Sequence, residues 1–518
     1  MKYRILWADD EIEYLKPHIF FLSERGYEVT TVTNGEDAVQ LSRESWFDII
    51  FLDEQMPGMG GLNALTAIKS HLPFTPIVMI TKNETESIMD EAIGRNIAEY
   101  LIKPVNPHQI LLACKKLLDA ERIKGNAATQ GYVQEFNRIS RLLLEPLTAE
   151  DWIDIYRRLA EWEVEFDSYP QVDLRQTLLD QKRECNAEFG KFIERNYRDW
   201  IFSDRSARPM LSVDVLDRKV SPAIQNGETV FLFVVDCLRY DQWLVMEKIL
   251  QPYFRIEREA YFSILPTATS YARNAIFSGL FPVEMEKRYP TLWQASQESE
   301  SSKNLYEPDF LEDFFKRRRL PVKDLKYTKL TSTDDSRTFE QNILGHLKYQ
   351  LNAVVVNFVD ILAHSRSDSQ VIRELSPDEV AFRSLTQTWF EHSAFLRMLK
   401  ALVKQNVTIL ITTDHGSIRC LRSSKVIGDR EASTNLRYKF GRNLQCEPKQ
   451  AVYIRNPNDW KLPQHGLNVN YIIAKEDFYF VYPTNYHKYI NYYKDSFQHG
   501  GISLDEMIVP MVTLRPKG

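Results

Sequence analysis

The chain has 518 residues, a formal net charge of -6, 44% hydrophobic residues and 26% charged residues. This length predicts two to four domains, because single cores stop growing beyond about 250–300 residues. The acidic balance argues against a dedicated DNA-binding protein. Five cysteines without a CxxC pair favour a reducing compartment over a disulfide framework. The sequence shows neither a signal peptide nor an apolar run of about 18 residues, so we expect a cytoplasmic protein without a membrane span.

The first 120 residues alternate short apolar runs with segments of helical spacing. Five such runs predict a doubly wound parallel sheet, an α/β fold whose ligands gather beyond the carboxyl ends of the strands. The predicted strands are Ile5–Ala8, Glu28–Val32, Asp48–Leu52, Pro76–Ile80 and Glu99–Ile102.

Chemically active side chains follow these predicted strands. Asp9 and Asp10 follow the first strand, and Asp53 follows the third. Three converging carboxylates repel one another unless a hard cation lies between them, and oxygen ligands of this kind suit Mg²⁺. Thr81 and Lys103 follow the fourth and fifth strands, where they are able to hold the oxygens of a phosphorylated carboxylate.

The stretch 51–61, FLDEQMPGMGG, resembles the phosphorylation loop of response-regulator receiver domains, and the resemblance covers about residues 1–122. It implies phosphorylation by a sensor histidine kinase and dimerisation through the last helix–strand–helix face. The roles it implies are Asp53 as phosphoacceptor, Asp9, Asp10 and Asp53 as magnesium ligands, and Thr81, Tyr100 and Lys103 as the switch residues.

Residues 123–210 show apolar positions at helical spacing and no convincing strand. We predict a linker bundle of about three to five helices, interrupted at Gly125-Asn126, Pro146 and Pro170. Aromatic side chains in this segment are expected to form its core. No helix-turn-helix with a basic recognition helix is evident, so we expect no DNA-binding module.

From residue 211 the alternation of strands and helices returns. Three apolar runs, 229–235, 353–359 and 407–413, are each followed directly by an aspartate. Three histidines accompany them. Unpaired carboxylates at buried strand ends are costly, and cations relieve that cost. The six candidate metal ligands are Asp236, Asp360, His364, Asp414, His415 and His499.

Mixed imidazole and carboxylate ligands suit Zn²⁺ and, less strongly, Mn²⁺. Six of them are enough for two metal ions with open coordination positions. The C-terminal 300 residues are therefore predicted to hold a two-metal centre.

The stretch 266–282, PTATSYARNAIFSGLFP, together with these ligands, resembles the alkaline phosphatase superfamily over about residues 211–518. In that superfamily the nucleophile lies about ten residues before the glycine of the Gly-Leu-Phe-Pro sequence. That glycine is Gly279 here, and the spacing selects Thr269. Thr267 and Ser270 are the nearest rivals. A metal lowers the pKa of such a hydroxyl and makes it a nucleophile, while the N-terminus of a helix favours an anionic phosphate.

The same resemblance implies the distribution of the ligands. One zinc ion would bind Asp236, Thr269, Asp414 and His415, and the other would bind Asp360, His364 and His499. Arg273 and Asn274 are the candidate substrate-binding residues. The arginine that monoesterases of the superfamily use to bind two phosphoryl oxygens is not evident in the sequence. Its absence favours a phosphodiester substrate, such as a phosphodiester of nucleotide type.

Within the superfamily, residues 211–518 look most like a PglZ domain. The order of receiver, helical linker (123–210) and PglZ domain resembles a group of response regulators linked to type IX protein secretion in Bacteroidetes. These resemblances imply two alternative functions. The chain is either a phosphorylation-controlled metal phosphodiesterase or phosphatase, or a non-catalytic signalling adaptor whose output domain binds a sigma factor or secretion-motor proteins.

Overall fold

The structure is a computed structural model that describes residues 3–82, 97–118, 120–169, 174–297, 304–429, 433, 435–466, 468–484 and 486–517. It divides into two compact units, Met1–Gly131 and Tyr132–Gly518. The division falls inside one long helix, Ala120–Leu142. Among the helices of the described residues, none combines the length and apolar composition needed to cross a bilayer.

The first unit contains the predicted doubly wound fold. Its five strands are all parallel and lie in the order β2-β1-β3-β4-β5. Helices cover both faces, so the central strands are buried on both sides and read as continuous apolar runs. The elements are β1 Tyr3–Ala8, α1 Lys16–Ser23, β2 Tyr27–Val32, α2 Gly35–Glu44, β3 Ile49–Asp53, α3 Gly61–Lys69, β4 Ile77–Thr81, β5 Glu99–Ile102 and α4 Pro107–Leu118.

The middle of the chain is helical, as predicted. It comprises α5 Ala120–Leu142, α6 Ala149–Asp167 and α7 Arg175–Phe202. The expected interruption at Gly125-Asn126 was wrong, because both residues lie inside α5. Pro146 does separate α5 from α6, whereas Pro170 lies outside the described residues.

Aromatic residues of these helices form core, in agreement with the sequence pattern. Trp152 is 2% exposed and Phe189 is fully buried, and their ring centroids lie 5.4 Å apart in an edge-on arrangement. Phe189 also stacks on Phe262 of the C-terminal sheet, at 6.3 Å. The helices α6 and α7 therefore share their core with the C-terminal residues, within one compact unit.

The second unit is built on a six-stranded sheet in the order β7-β18-β10-β6-β9-β8. The four strands β10, β6, β9 and β8 are parallel, while β18 pairs antiparallel with β10 and β7. Its strands are β6 Thr229–Val235, β7 Phe254–Phe262, β8 Leu325–Leu330, β9 Leu351–Val356, β10 Val407–Thr412, β11 Ile418–Arg419, β12 Arg422–Lys425, β13 Tyr438–Gly441, β14 Ala451–Ile454, β15 Asn470–Ala474, β16 Phe478–Val481, β17 Phe497–Gln498 and β18 Ile508–Pro516.

The helices of this unit surround the sheet. The described residues between 281 and 350 hold four of its α-helices and the edge strand β8. The helices are α8 Ser221–Gln225, α9 Tyr240–Leu250, α10 Thr269–Ser278, α11 Pro282–Arg288, α12 Pro290–Gln297, α13 Glu307–Arg318, α14 Thr333–Gln341, α15 Phe358–Asp368, α16 Gln370–Leu375, α17 Glu379–His392, α18 Ala394–Leu402, α19 Tyr486–Tyr493 and α20 Leu504–Met507.

A buried ion pair joins α7 to the C-terminal part of this unit. The Lys182 ammonium lies 3.0 Å from Glu163 on α6 and 2.8 Å from Asp505 on α20. The Lys182 side chain is only 7% exposed. Tyr156 donates a further hydrogen bond of 3.1 Å to the Asp505 carboxylate. The side chains of α6 and α7 therefore complete a charged network that is removed from water.

We predict that Lys182→Met destabilises the protein by about 3–5 kcal/mol, because it leaves buried carboxylates without their cation. The matched control is Lys191→Met on the same helix. Lys191 is exposed and pairs with Glu188 at 2.6 Å, a type of contact that contributes about 0–1 kcal/mol. Urea unfolding followed by circular dichroism measures both variants, and equal losses would contradict the assignment.

Candidate active site and phosphorylation site

The predicted phosphoacceptor lies in a cluster of three carboxylates in the first unit. Oxygens of Asp9, Asp10 and Asp53 all lie within 4.8 Å of one another. The Lys103 ammonium is 2.9 Å from both Asp9 and Asp53. Burial raises the pKa of Asp53 to about 6, against the lowering effect of Lys103, and the Asp9 charge raises it further. One lysine does not neutralise three acids, so the site fits an additional hard cation such as Mg²⁺.

The two remaining switch residues contact each other beside this cluster. The Thr81 hydroxyl donates a hydrogen bond to the Glu54 carboxylate. Thr81 also hydrogen-bonds to the hydroxyl of Tyr100, whose pKa is raised by partial burial. Thr81 ends β4 and Tyr100 lies on the adjacent β5, so the sheet itself keeps the pair together.

The first group of predicted zinc ligands lies at the carboxyl ends of two neighbouring strands. Asp236 follows β6, while Asp414 and His415 come two and three residues after β10. The His415 Nε2 atom lies 3.7 Å from Asp414 Oδ2 and 3.9 Å from Asp236 Oδ1. All three side chains are buried.

The second group lies beside the first. Its His364 Nε2 atom is 3.3 Å from Asp360 Oδ1 and 3.4 Å from His499 Nε2. The expectation that Asp360 ends a strand was wrong, because β9 stops at Val356 and Asp360 lies in the first turn of α15. Asp360 and His364 share one face of that helix through their i, i+4 spacing.

The two groups adjoin each other, because the rings of His415 and His499 stack at 4.2 Å. Burial and the neighbouring His415 and His364 hold the pKa of His499 well below its usual range, so its imidazole is neutral and has a lone pair to offer. Burial and the Asp414 charge raise the pKa of Asp236 to about 6. Neutral imidazoles facing crowded carboxylates are a donor set that suits zinc.

Hydrogen bonding supports the same interpretation. His415 Nδ1 donates to the Gly416 carbonyl at 3.0 Å, which leaves its Nε2 lone pair directed at the acids. Asp360 Oδ1 and Asp414 Oδ2 are buried and accept no hydrogen bond within the described residues. Buried carboxylate oxygens of this kind are costly unless a cation binds them.

Among the three candidate nucleophiles, Thr269 is the one that contacts these ligands. Its Oγ1 atom lies 3.0 Å from His415 Nε2 and 3.4 Å from Asp236 Oδ1. Thr269 is also the first residue of α10. Thr267, in contrast, donates to the Gly501 carbonyl at 2.8 Å and is fully buried. Ser270 lines the same cavity as Thr269.

This cavity has a volume of about 430 Å³ and opens over both groups of ligands. Most of its remaining lining is polar, and the sequence reasoning missed these residues. Nothing in their spacing marked them, since they come from separate segments that only the fold brings together. They are Asn304, Lys329, Asn357, Asn435, Tyr438 and Gln498.

The predicted substrate-binding residues are both engaged by neighbouring groups. Arg273 lines the cavity, but its Nη1 donates to Asp236 at 2.5 Å and its Nε to Glu307 at 2.6 Å. Asn274 is 1% exposed and donates to the Ser270 carbonyl at 2.9 Å. The structure thus places them next to the nucleophile candidate as structural partners, and their substrate contact stays a prediction.

Comparison with protein families agrees with this geometry. The model of the BREX system PglZ alkaline phosphatase-like domain matches residues 215–514, more than half of the chain. The chain belongs to this PglZ family. The PorX response regulator linker domain matches residues 122–201, and the response regulator receiver domain matches residues 5–115. The three together identify a PorX-type response regulator, and its receiver implies a cognate sensor kinase.

Individual relatives match shorter parts of this chain. The alginate biosynthesis transcriptional regulatory protein AlgB of Pseudomonas syringae pv. tomato is 31% identical over 133 residues, 26% of this chain and 30% of AlgB. The transcriptional regulatory protein SrrA of Staphylococcus aureus is 30% identical over 118 residues, 23% of this chain and 48% of SrrA. The chain therefore covers less than half the length of these relatives.

Among solved structures, the chemotaxis protein CheY4 of Vibrio cholerae is 30% identical with a TM-score of 0.22, covering 23% of this chain and all of CheY4. The DrrB receiver domain is 27% identical, also with a TM-score of 0.22, and covers 23% of this chain and 99% of that domain. Alkaline phosphatase-like and receiver domains generally use metal ions, in accordance with the donor sets described above.

We predict that the zinc-loaded PglZ-family protein retains about two zinc ions per chain. His499→Ala and Asp414→Ala should each lose about one, because each removes a ligand from a different group. The exposed His487→Ala is the control and should keep both. Elemental analysis after gel filtration gives the counts. A wild-type protein that leaves the column without zinc would contradict the ligand assignment.

Proposed function

We propose that this chain is a response regulator whose phosphorylation at Asp53 controls a two-zinc phosphodiesterase or phosphatase. Its domains would be the receiver at 1–122, the helical linker at 123–210 and the PglZ-family output domain at 211–518. One observation carries the catalytic part. The hydroxyl of Thr269 contacts one group of three potential ligands, and the stacked rings of His415 and His499 join that group to the second.

Zinc bound by these residues would lower the pKa of the threonine hydroxyl and stabilise negative charge on phosphoryl oxygens. The chain's own groups perform the remaining tasks. Thr269 Oγ, after losing its proton to solvent, attacks phosphorus while the bond to the leaving alcohol breaks and the alcohol takes a proton from solvent. Water then breaks the bond between threonine Oγ1 and phosphorus, which restores the hydroxyl and releases a phosphomonoester from a diester substrate, or inorganic phosphate from a monoester. The N-terminus of α10, where Thr269 lies, favours the anionic phosphoryl group.

The charge of the cavity supports a diester substrate. Arg273 is neutralised by Asp236 and Glu307, so it does not act as a free clamp for two phosphoryl oxygens. A diester has one negative charge fewer than a monoester and needs fewer cationic contacts. We therefore propose that the natural substrate is a phosphodiester of nucleotide type.

Thr269→Ala should reduce hydrolysis of bis-p-nitrophenyl phosphate at least about a thousandfold, because the attacking oxygen is lost. Thr269→Ser should keep part of the activity, since the hydroxyl remains. Both variants should retain the zinc ion nearest to residue 269, because Asp236, Asp414 and His415 still hold it. Initial rates and metal content measured on the same samples separate the loss of chemistry from the loss of metal.

The control for this prediction is Ser270→Ala, which removes the adjacent hydroxyl. Its activity should stay within a few-fold of the wild type. Full activity of Thr269→Ala together with an inactive Ser270→Ala would move the nucleophile to Ser270. A zinc-loaded wild type that hydrolyses neither diesters nor monoesters would favour the adaptor function, in which the output domain binds a sigma factor or secretion-motor proteins.

Regulation would begin at the receiver. A sensor histidine kinase would phosphorylate Asp53, with Mg²⁺ held by the three aspartates, and Lys103, Thr81 and Tyr100 would respond. We propose homodimerisation of the phosphorylated receiver and a link to type IX secretion. Part of the expected pairing face, residues 83–96, lies outside the described residues.

Asp53→Ala should abolish labelling by acetyl phosphate in the presence of Mg²⁺, because the phosphoacceptor is lost. Asp37→Ala, an exposed acid of the same unit, should be labelled like the wild type. Phosphate-affinity gels detect the labelling, and light scattering detects the dimer that should form in the labelled samples. Undiminished labelling of Asp53→Ala would place the phosphoacceptor elsewhere.

A further inference from the structure

Lys329 belongs to the wall of the cavity that is lined by Asp236 of the first group of predicted metal ligands and by all three residues of the second group. It lies near the end of the edge strand β8, where it pairs with Val355 of β9. Side chains alternate along a strand, so Lys329 shares a face with Tyr327, whose hydroxyl donates to the Glu307 carboxylate. The lysine is half-buried and brings a positive charge to the cavity from a strand that carries none of the predicted ligands.

The ammonium of Lys329 forms no ion pair or hydrogen bond with any residue that the structure describes. Two of the carboxylates whose charge acts on it have other partners. Asp236 is held by Arg273, and Glu307 is held by Arg273, Tyr327 and Asn304. Burial and the Arg273 charge lower the pKa of Lys329. A half-buried ammonium without a direct ion-pair or hydrogen-bond partner is unfavourable, so the arrangement favours an anion that contacts it from the cavity.

A second polar group of the wall also has an unused atom. Asn357 follows β9 directly, and its buried Oδ1 accepts no hydrogen bond within the described residues. Arg273, the other cation of the wall, is engaged by two acids. Lys329 is therefore the cavity cation that forms no direct ion pair with the described residues.

We propose that Lys329 binds a non-bridging oxygen of the phosphoryl group that Thr269 attacks. This inference rests on the proposed function and refines its substrate class. A phosphodiester has two non-bridging oxygens that share one negative charge, and a single ammonium matches the oxygen that faces away from the metal ligands. A monoester dianion would leave a further oxygen without a cationic contact.

The test uses inorganic phosphate as the probe, with full-length zinc-loaded protein in a titration calorimeter. Lys329→Met keeps the length of the side chain and removes its charge. It should weaken phosphate binding by about ten- to a hundredfold, the range expected for a charge-assisted hydrogen bond. Lys329→Arg should recover part of the affinity. Lys326→Met is the matched control, because Lys326 is exposed on the opposite face of the same strand.

Turnover of bis-p-nitrophenyl phosphate and zinc content are measured on the same four samples. Lys329→Met should lose at least about tenfold in kcat/KM while its zinc content stays at the wild-type value. Equal phosphate affinity in wild type and Lys329→Met would overturn the inference even if diesters are hydrolysed. A wild type that hydrolyses no ester but binds phosphate through Lys329 would overturn the proposed function and the attack by Thr269, and would leave Lys329 as a phosphate-binding residue only.

Discussion

Crowding of buried carboxylates at the carboxyl ends of parallel strands is the constraint on which both chemical sites depend. Burial raises the pKa of both Asp53 and Asp236 to about 6. In each site one resident cation offsets part of the charge: Lys103 lies against Asp53, and Arg273 against Asp236. Both sites nevertheless keep more acid than cation, and each therefore has a set of donor atoms that could hold a metal ion.

The sequence predicted most of the fold because buried parallel strands read as apolar runs whatever surrounds them. It failed where one run crosses an element boundary. The run 353–359 continues from the end of β9 through Asn357 into α15, and an apolar run does not reveal that the backbone changes from strand to helix. Asp360 does belong to the predicted cluster of ligands, but it lies on a helix and not at a strand end, which periodicity alone cannot predict.

The missed residues share a different cause. β8 is an edge strand whose side chains, read as LKYTKL, are partly exposed, so its pattern does not stand out from a polar loop. Lys329, Asn304 and Asn357 lie at separate places in the sequence, and only the pairing of β8 with β9 and the packing of α13 place them in one cavity. Long-range pairing of this kind leaves no local signal. Motif resemblance supplied Thr269 for the opposite reason, since the resemblance is carried by the contiguous stretch 266–282 in which it lies.

The helices α6 and α7 support the turns that carry the predicted metal ligands through a second set of buried charges. Arg239 comes three residues after Asp236 and pairs with Asp241, and Asp241 in turn pairs with Arg383 at 2.9 Å. Arg383 also reaches Asp167, the last residue of α6.

A second chain of contacts leads from α7 to the carboxyl end of β10. Lys182 binds Asp505, and the Asp505 carbonyl packs so closely on Gly416, the residue after His415, that any side chain at Gly416 would collide with it. Two turns that carry predicted ligands are thus fixed from the same pair of helices. Buried ion pairs tolerate little displacement, because a separated charge stays uncompensated. A shift of α6 or α7 would consequently displace Asp236 and His415 together, so the helical segment is part of the framework of the candidate active site.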